Sequence, residues 1–181
     1  ELGYSLEDIL ILSPMRKGDA GIDVLNERLR DALNPHSNQK RELQLGKRFF
    51  REGDKVMQNK NNIDKDVFNG EIGIVKRITK EPNKENELVE VMYCQFDNKL
   101  VKYSREDCNE LELGYAITIH KSQGGEAPIV IMPITTSHYV MLARNLYYTG
   151  VTRAKEKAVL IGTEKAMNVA VRNNQIAKRN S

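Results

Sequence analysis

GYAITIHKSQGGE, residues 114–126, breaks in mid-run from an alternating apolar pattern into a polar, glycine-ended loop. Tyr115, Ile117 and Ile119 alternate with Ala116 and Thr118, the period-two signature of a strand. His120, Lys121, Ser122 and Gln123 then set four donor-capable side chains in succession, and Gly124 and Gly125 free the backbone to approach a ligand. Glu126 closes the loop with a carboxylate. A turn alone asks for less than this. The run therefore predicts a strand that delivers a binding loop at its tip.

Downstream, residues 146–162 read LYYTGVTRAKEKAVLIG. A helix-like segment runs to Arg153, a charged turn follows, and Ala158–Ile161 form an apolar strand. Arg153 thus puts a planar, permanently charged fork at a helix-to-strand junction, a placement that suits a phosphate. Alone, such an arginine is equally explained by the negative end of the helix dipole. Beside the 114–126 loop it points to an anionic ligand.

Outward from these runs the pattern changes twice. Ile9–Leu12 read as a short strand, Pro14–Gly21 as a loop, and Ile22, Leu25, Leu29 and Leu33 recur at helical spacing. Pro35 and the polar run through Lys40 end that helix, after which Val56–Gln58, Glu71–Ile78, Leu88–Cys94 and Leu100–Tyr103 read as strands. Asn69-Gly70 predicts a hairpin between Val67-Phe68 and Glu71-Ile72, Asp97-Asn98 a second turn, and Thr79–Glu87 a polar hairpin tip. From Leu111 the α/β alternation returns, with Ile129–Ile134 as a buried strand. The expected architecture is a discontinuous α/β domain, residues 1–45 and 111–181, interrupted by a small β-barrel over 46–110.

The run Thr118-x-His120-Lys121-Ser122-Gln123-Gly124-x-Glu126 resembles the fifth motif of superfamily 1 helicases, and Tyr148-Thr149-Gly150-Val151-Thr152-Arg153-Ala154 resembles the sixth. Residues 12–35, LSPMRKGDAGIDVLNERLRDALNP, resemble the fourth motif and its following helix. The likeness is strongest to the RecD-like group that includes the alpha subunit of exodeoxyribonuclease V. It implies a RecA-like, P-loop-NTPase-type second motor domain with an inserted SH3-like barrel, within an ATP-dependent DNA helicase of DNA repair and recombination that moves 5′ to 3′. Carried onto these residues, it makes Arg153 a catalytic arginine finger and gives Arg16, Gln123, Gly125 and Glu126 to the nucleotide. Thr118, His120, Lys121 and Ser122 face the backbone of single-stranded DNA, and Lys60 and Asn62 are further DNA contacts in the barrel. The implied ligands are ATP and Mg2+, bound mainly by a first motor domain. The implied partners are single-stranded DNA, a duplex junction and subunits of a nuclease complex.

Bulk properties agree with this without demanding it. A net charge of +3 over 181 residues is compatible with nucleic acid, and 40% hydrophobic residues suffice for a core. Cys94 and Cys108 are too few and too far apart for a zinc or redox motif, and no metal site is expected in the chain. With neither a signal-peptide pattern nor an apolar span, a cytoplasmic location without membrane contact is expected. No GxxxxGK[ST] loop occurs, since Gly46-Lys47 is followed by Arg48 and Lys121-Ser122 lacks the preceding glycine. Val91–Asp97 reads as a barrel strand rather than an acidic magnesium motif. The chain is therefore expected to be a C-terminal fragment, inactive in ATP hydrolysis by itself. A rival reading is a non-catalytic module that binds nucleic acid or recruits protein, and Arg153 discriminates the two.

Overall fold

A computed structural model of the chain describes residues 3–122, 125–136 and 144–173. In chain order the elements are β1 (Ile9–Ser13), α1 (Ile22–Leu33), β2 (Glu42–Leu45), β3 (Arg48–Arg51), β4 (Lys55–Gln58), β5 (Ile72–Pro82), β6 (Leu88–Phe96) and β7 (Lys99–Ser104). They continue with β8 (Leu111–Leu113), β9 (Ala116–Thr118), β10 (Ala127–Ile134), α2 (Arg144–Val151), β11 (Ala154–Gly162) and α3 (Glu164–Arg172). The chain forms two compact units, Glu1–Glu27 with Ala116–Ser181, and Arg28–Tyr115.

The first unit is built on a parallel sheet ordered β11-β10-β1-β9. Its central strands are nearly continuous apolar runs, with Leu10, Leu12, Val130, Met132 and Ile134 buried on one face and Ile9, Ile11 and Ile131 half-buried on the other. The loop after β1 folds back onto the start of α1, where the Ile22 and Asp23 N–H groups donate to the carbonyls of Met15 and Arg16 at 3.0 and 3.1 Å. Two otherwise orphaned helix donors are satisfied in this way. Gly21 is required there, since a Cβ would meet the Arg16 and Lys17 backbone at 2.5 Å. At the far end, Thr163 caps α3 by accepting from the Ala166 N–H at 3.2 Å.

The line that α1 buries is not the expected one. Ile22, Asn26, Arg30 and Asn34 are buried at four-residue spacing, whereas Leu33 is 51% exposed. Three polar side chains take this line because each finds partners inside its own unit. Arg30 Nη1 donates to the Phe49 carbonyl at 3.3 Å with its guanidinium 4.0 Å above the Phe49 ring, and Asn34 Nδ2 donates to the Glu52 carbonyl at 3.1 Å. Asn26 belongs to the other unit and bonds to Ala116.

The second unit holds an antiparallel sheet ordered β7-β6-β5-β4-β8 and the β2-β3 hairpin. Its core joins Leu43, Phe50, Val56, Val75, Met92 and Tyr103. It begins before the expected residue 46 and ends after the expected residue 110. Arg30 and Asn34 bond to residues 49–54, and Leu111–Leu113 pairs with β4 rather than opening the α/β unit. The Asn69-Gly70 turn also differs. The Glu71 N–H does donate to the Phe68 carbonyl at 3.1 Å across Asn69-Gly70, but only Gly70 has positive φ, at 95°, and the Glu71 carbonyl accepts from the Gln58 N–H at 2.9 Å, which leads into the β4–β5 pairing. A hairpin with both central residues left-handed is therefore not formed. Asp97 does turn the β6-β7 hairpin with φ 42°, and the polar tip shrinks to residues 83–87 because β5 runs on to Pro82.

A buried polar cluster organises this unit. Asp54 Oδ1 accepts from Asn34 Nδ2 at 2.8 Å and from the Tyr115 hydroxyl at 2.9 Å, while Oδ2 accepts from the Arg51 N–H at 2.8 Å. Burial pushes the Asp54 carboxyl above the usual carboxylate range, against the pull of these donors. Burial likewise raises the Tyr115 hydroxyl. Cys94 and Cys108 are both free and buried, and burial lifts the Cys108 thiol to about 12. They behave as core residues.

Candidate functional site

The loop that follows β9 starts as a compact turn. Lys121 and Ser122 N–H groups donate to the Thr118 carbonyl at 2.9 and 3.2 Å, and the Gly125 N–H donates to the Ser122 carbonyl at 3.0 Å. Ser122 is 2% exposed and its hydroxyl donates to the Ile119 carbonyl at 2.7 Å, so this side chain builds the turn from inside. Thr118 is half-buried, with Oγ1 accepting from the Lys121 N–H at 3.3 Å, and His120 is exposed. Gln123 lies outside the described residues, as do Gly124 and His138.

Sheet register decides which of these groups lie together. Thr118 pairs with Ser13 at the carboxyl edge, and Ala127 opens β10 at the amino edge. Because Ile11 is level with both Ala116 and Ile131, Thr118 is level with Pro133, six residues beyond Ala127. At ~3.3 Å per residue the two ends of the loop are roughly 20 Å apart along the strands. Arg153 stands at the amino edge, its carbonyl accepting from the Ala127 N–H at 3.0 Å beside the Ala127–Ala154 pair. Glu126 therefore shares an edge with Arg153, whereas Thr118 and His120 lie at the other, and Gly125 stands between them, bonded back to Ser122. Arg16 follows β1 at the carboxyl edge and pairs with Asp23 at 3.4 Å. It is not brought to Arg153.

Side chains of the sixth-motif segment bond back to its own helix. Thr149 and Thr152 hydroxyls donate back to the carbonyls of Asn145 and Thr149, both at 2.9 Å. Gly150 lets α2 pack closely on the sheet, since a Cβ there would sit 2.3 Å from Met132 Sδ and that side chain would have to shift. Burial raises the Tyr147 hydroxyl to about 12. Arg153 also bonds within the segment. It is half-buried, its Nε reaches the Thr149 carbonyl at 3.3 Å, and among the described residues no carboxylate pairs with it.

The amino edge suits a phosphate. It offers a guanidinium that no carboxylate among the described residues pairs with. Among the described residues no group of three His, Cys, Asp or Glu side chains is placed to hold a metal ion. Lys155 joins this edge, 3.6 Å from Glu126, in an ion pair exposed enough to be worth little. Its place was not readable until the Ala127–Ala154 pairing was known.

Lys60 and Asn62 belong to the other unit. Lys60 is exposed, whereas the Asn62 side chain is committed at both ends, Nδ2 donating to Glu110 at 2.9 Å and Oδ1 accepting from the Lys65 N–H at 3.1 Å. Phe50 is core, and Phe49 lies between the Arg30 and Arg51 guanidiniums.

With this geometry in place, comparisons define the class. Residues 25–93 match the ATP-dependent RecD-like DNA helicase SH3 domain, and residues 113–161 the UvrD-like helicase C-terminal domain. The chain is 35% identical over 162 residues to the ATP-dependent RecD2 DNA helicase of Deinococcus radiodurans, covering 90% of this chain and 21% of that protein. It is 29% identical over 177 residues to the RecBCD enzyme subunit RecD of Haemophilus influenzae, covering 96% and 24%. The chain thus spans about a quarter or less of these relatives. The fold is shared with the Bacteroides Pif1 helicase in complex with ADP-AlF3 and ssDNA, at TM-score 0.54 and 19% identity over 92% of this chain and 44% of that one. The Candida albicans Pif1 helicase gives 0.51 at 15% identity over 87% and 48%.

The protein is a helicase-type α/β unit carrying an SH3-like domain. It belongs to the RecD-like family of superfamily 1 DNA helicases. No helix among the described residues is long and apolar enough to cross a membrane.

Proposed function

We propose that this chain is the second motor domain and SH3-like insertion of an ATP-dependent DNA helicase, and that the loop after β9 couples the strand to the nucleotide. The observation that carries this is the separation of the loop's two ends: its early residues lie at one edge of the sheet, its late residues at the other beside Arg153. His120, Lys121 and Thr118 grip phosphates of single-stranded DNA, contacts that position the strand without reading bases. Gly125, Glu126 and Arg153 face ATP held mainly by a first motor domain, which also supplies the metal ligands. Arg16 sits with the DNA-facing group by its strand edge, while Gln123 spans the two halves by sequence. Lys60 is a secondary contact. ATP binding closes the cleft between the motor domains and hydrolysis reopens it, so each cycle shifts the grip on DNA. Family likeness supports 5′ to 3′ movement and a role in repair or recombination, alone or beside nuclease subunits.

Two substitutions in the full-length protein separate the halves of the loop. His120→Ala raises the single-stranded DNA concentration for half-maximal ATPase about tenfold and leaves the KM for ATP within about twofold, the signature of a contact made to one ligand only. Glu126→Ala does the reverse. Identical profiles for both would sink the two-sided loop. The 181-residue chain by itself is expected to hydrolyse no ATP, since it holds no phosphate loop. Steady turnover by the purified chain, abolished by Arg153→Ala, would contradict that.

A further inference from the structure

β9 is the terminal strand of its sheet and only three residues long, Ala116–Thr118, paired with β1 on one side. So short a strand has little ladder of its own to hold it. On its outer side, where a neighbouring strand would lie, a single side chain takes both backbone groups of Ala116. Asn26 Nδ2 donates to the Ala116 carbonyl at 2.9 Å, and the Ala116 N–H donates to Asn26 Oδ1, also at 2.9 Å. Both residues are buried, Asn26 at 7% exposure and Ala116 at 0%. A carboxamide carries the same donor and acceptor as a peptide group, so Asn26 replaces one residue of the absent strand. Aspartate keeps the acceptor but turns a second oxygen on the carbonyl, glutamine is a methylene too long, and alanine supplies neither group.

We propose that Asn26 is the positioning residue for the DNA-facing half of the loop, an inference that rests on the reading of that loop given above. By pinning Ala116 two residues before Thr118, it sets the direction in which β9 leaves the sheet and hence where Thr118, His120 and Lys121 present their donors. It touches no ligand itself. Its effect reaches DNA only through the turn that starts at Thr118.

The test combines amide hydrogen exchange with DNA-dependent ATPase in the full-length protein. Asn26→Ala speeds exchange of the Ala116 amide about tenfold or more, the loss expected of a net hydrogen bond, while amides of β10 keep their protection. It raises the DNA concentration for half-maximal ATPase about tenfold with the KM for ATP unchanged, and Asn26→Asp falls between it and wild type. In a His120→Ala background Asn26→Ala adds little further loss, because both changes act on one contact. Unchanged Ala116 exchange, or fully additive losses in the double variant, overturns the positioning role. So does normal DNA dependence in Asn26→Ala when His120→Ala alone weakens it. If neither variant moves the DNA dependence while Ala116 exchange rises, the DNA reading of the loop falls and the inference with it. Should Asn26→Ala fail to fold, Asn26→Asp carries each of these comparisons.

Discussion

Arg153→Ala in the full-length protein lowers DNA-stimulated ATP turnover by ~10³ to 10⁵, the usual worth of a guanidinium at a transferring phosphoryl group. Single-strand affinity in the absence of nucleotide stays within about twofold, because the early half of the loop lies at the opposite edge of the sheet. Stability changes little. The side chain's described contacts are a 3.3 Å bond to the Thr149 carbonyl and a 3.4 Å one to the Thr152 hydroxyl, both partly exposed. Such contacts are worth under about 1 kcal/mol. Arg153→Lys keeps the charge but loses the planar fork, and recovers only part of the rate. ATPase titrated with oligonucleotide, alongside thermal unfolding, reads all three quantities. Wild-type turnover in Arg153→Ala would return this arginine to a helix-end role and favour the non-catalytic module.

Asp54→Ala costs about 2–4 kcal/mol of stability, because three buried donors lose their acceptor at once. Asp54→Asn is no remedy. An amide oxygen turned to Asn34 and Tyr115 leaves its NH2 facing the Arg51 N–H, donor against donor. The pH dependence has a definite sign. Burial raises the folded carboxyl above its unfolded value, so the fold binds more protons than the unfolded chain between those two values. Asp54's contribution is therefore greatest below the unfolded value near ~3.9 and declines as pH rises through the folded one. The stability gap between wild type and either variant narrows over that window. Urea unfolding at several pH values measures it, and a gap that widens with pH would reverse the assignment.

The strands of the α/β unit were legible where the apolar runs are unbroken, as at Ile129–Ile134 and Ile9–Leu12. Strands β2 and β3 were not assigned, because each is only four residues long and the alternation of Glu42 and Gln44 with Leu43 and Leu45 ends too soon to stand out. β8 was assigned to the wrong unit because Leu111–Leu113 is apolar whichever sheet it joins, and pattern carries no pairing partner. The helix α1 was found but turned to the wrong line, since periodicity counts leucines and cannot know that Asn26, Arg30 and Asn34 each meet a backbone carbonyl. For the same reason the residues of the loop were readable as donors, but their division between two edges was not. That division comes from a parallel crossover, which only the register reveals.

The pairing of β1 with β9 spans the whole of the Arg28–Tyr115 unit, because Ile11 meets Ala116 only after that stretch has been laid down. Contacts so distant along the chain close late, after the local hairpins between them have paid the entropy of bringing the ends together. During synthesis β1 and α1 must wait, with Asn26 unmatched, until the β unit is complete. The turn after β9 is thus among the last parts of the sheet to take shape, so a chain stalled or truncated within the insertion emerges without it.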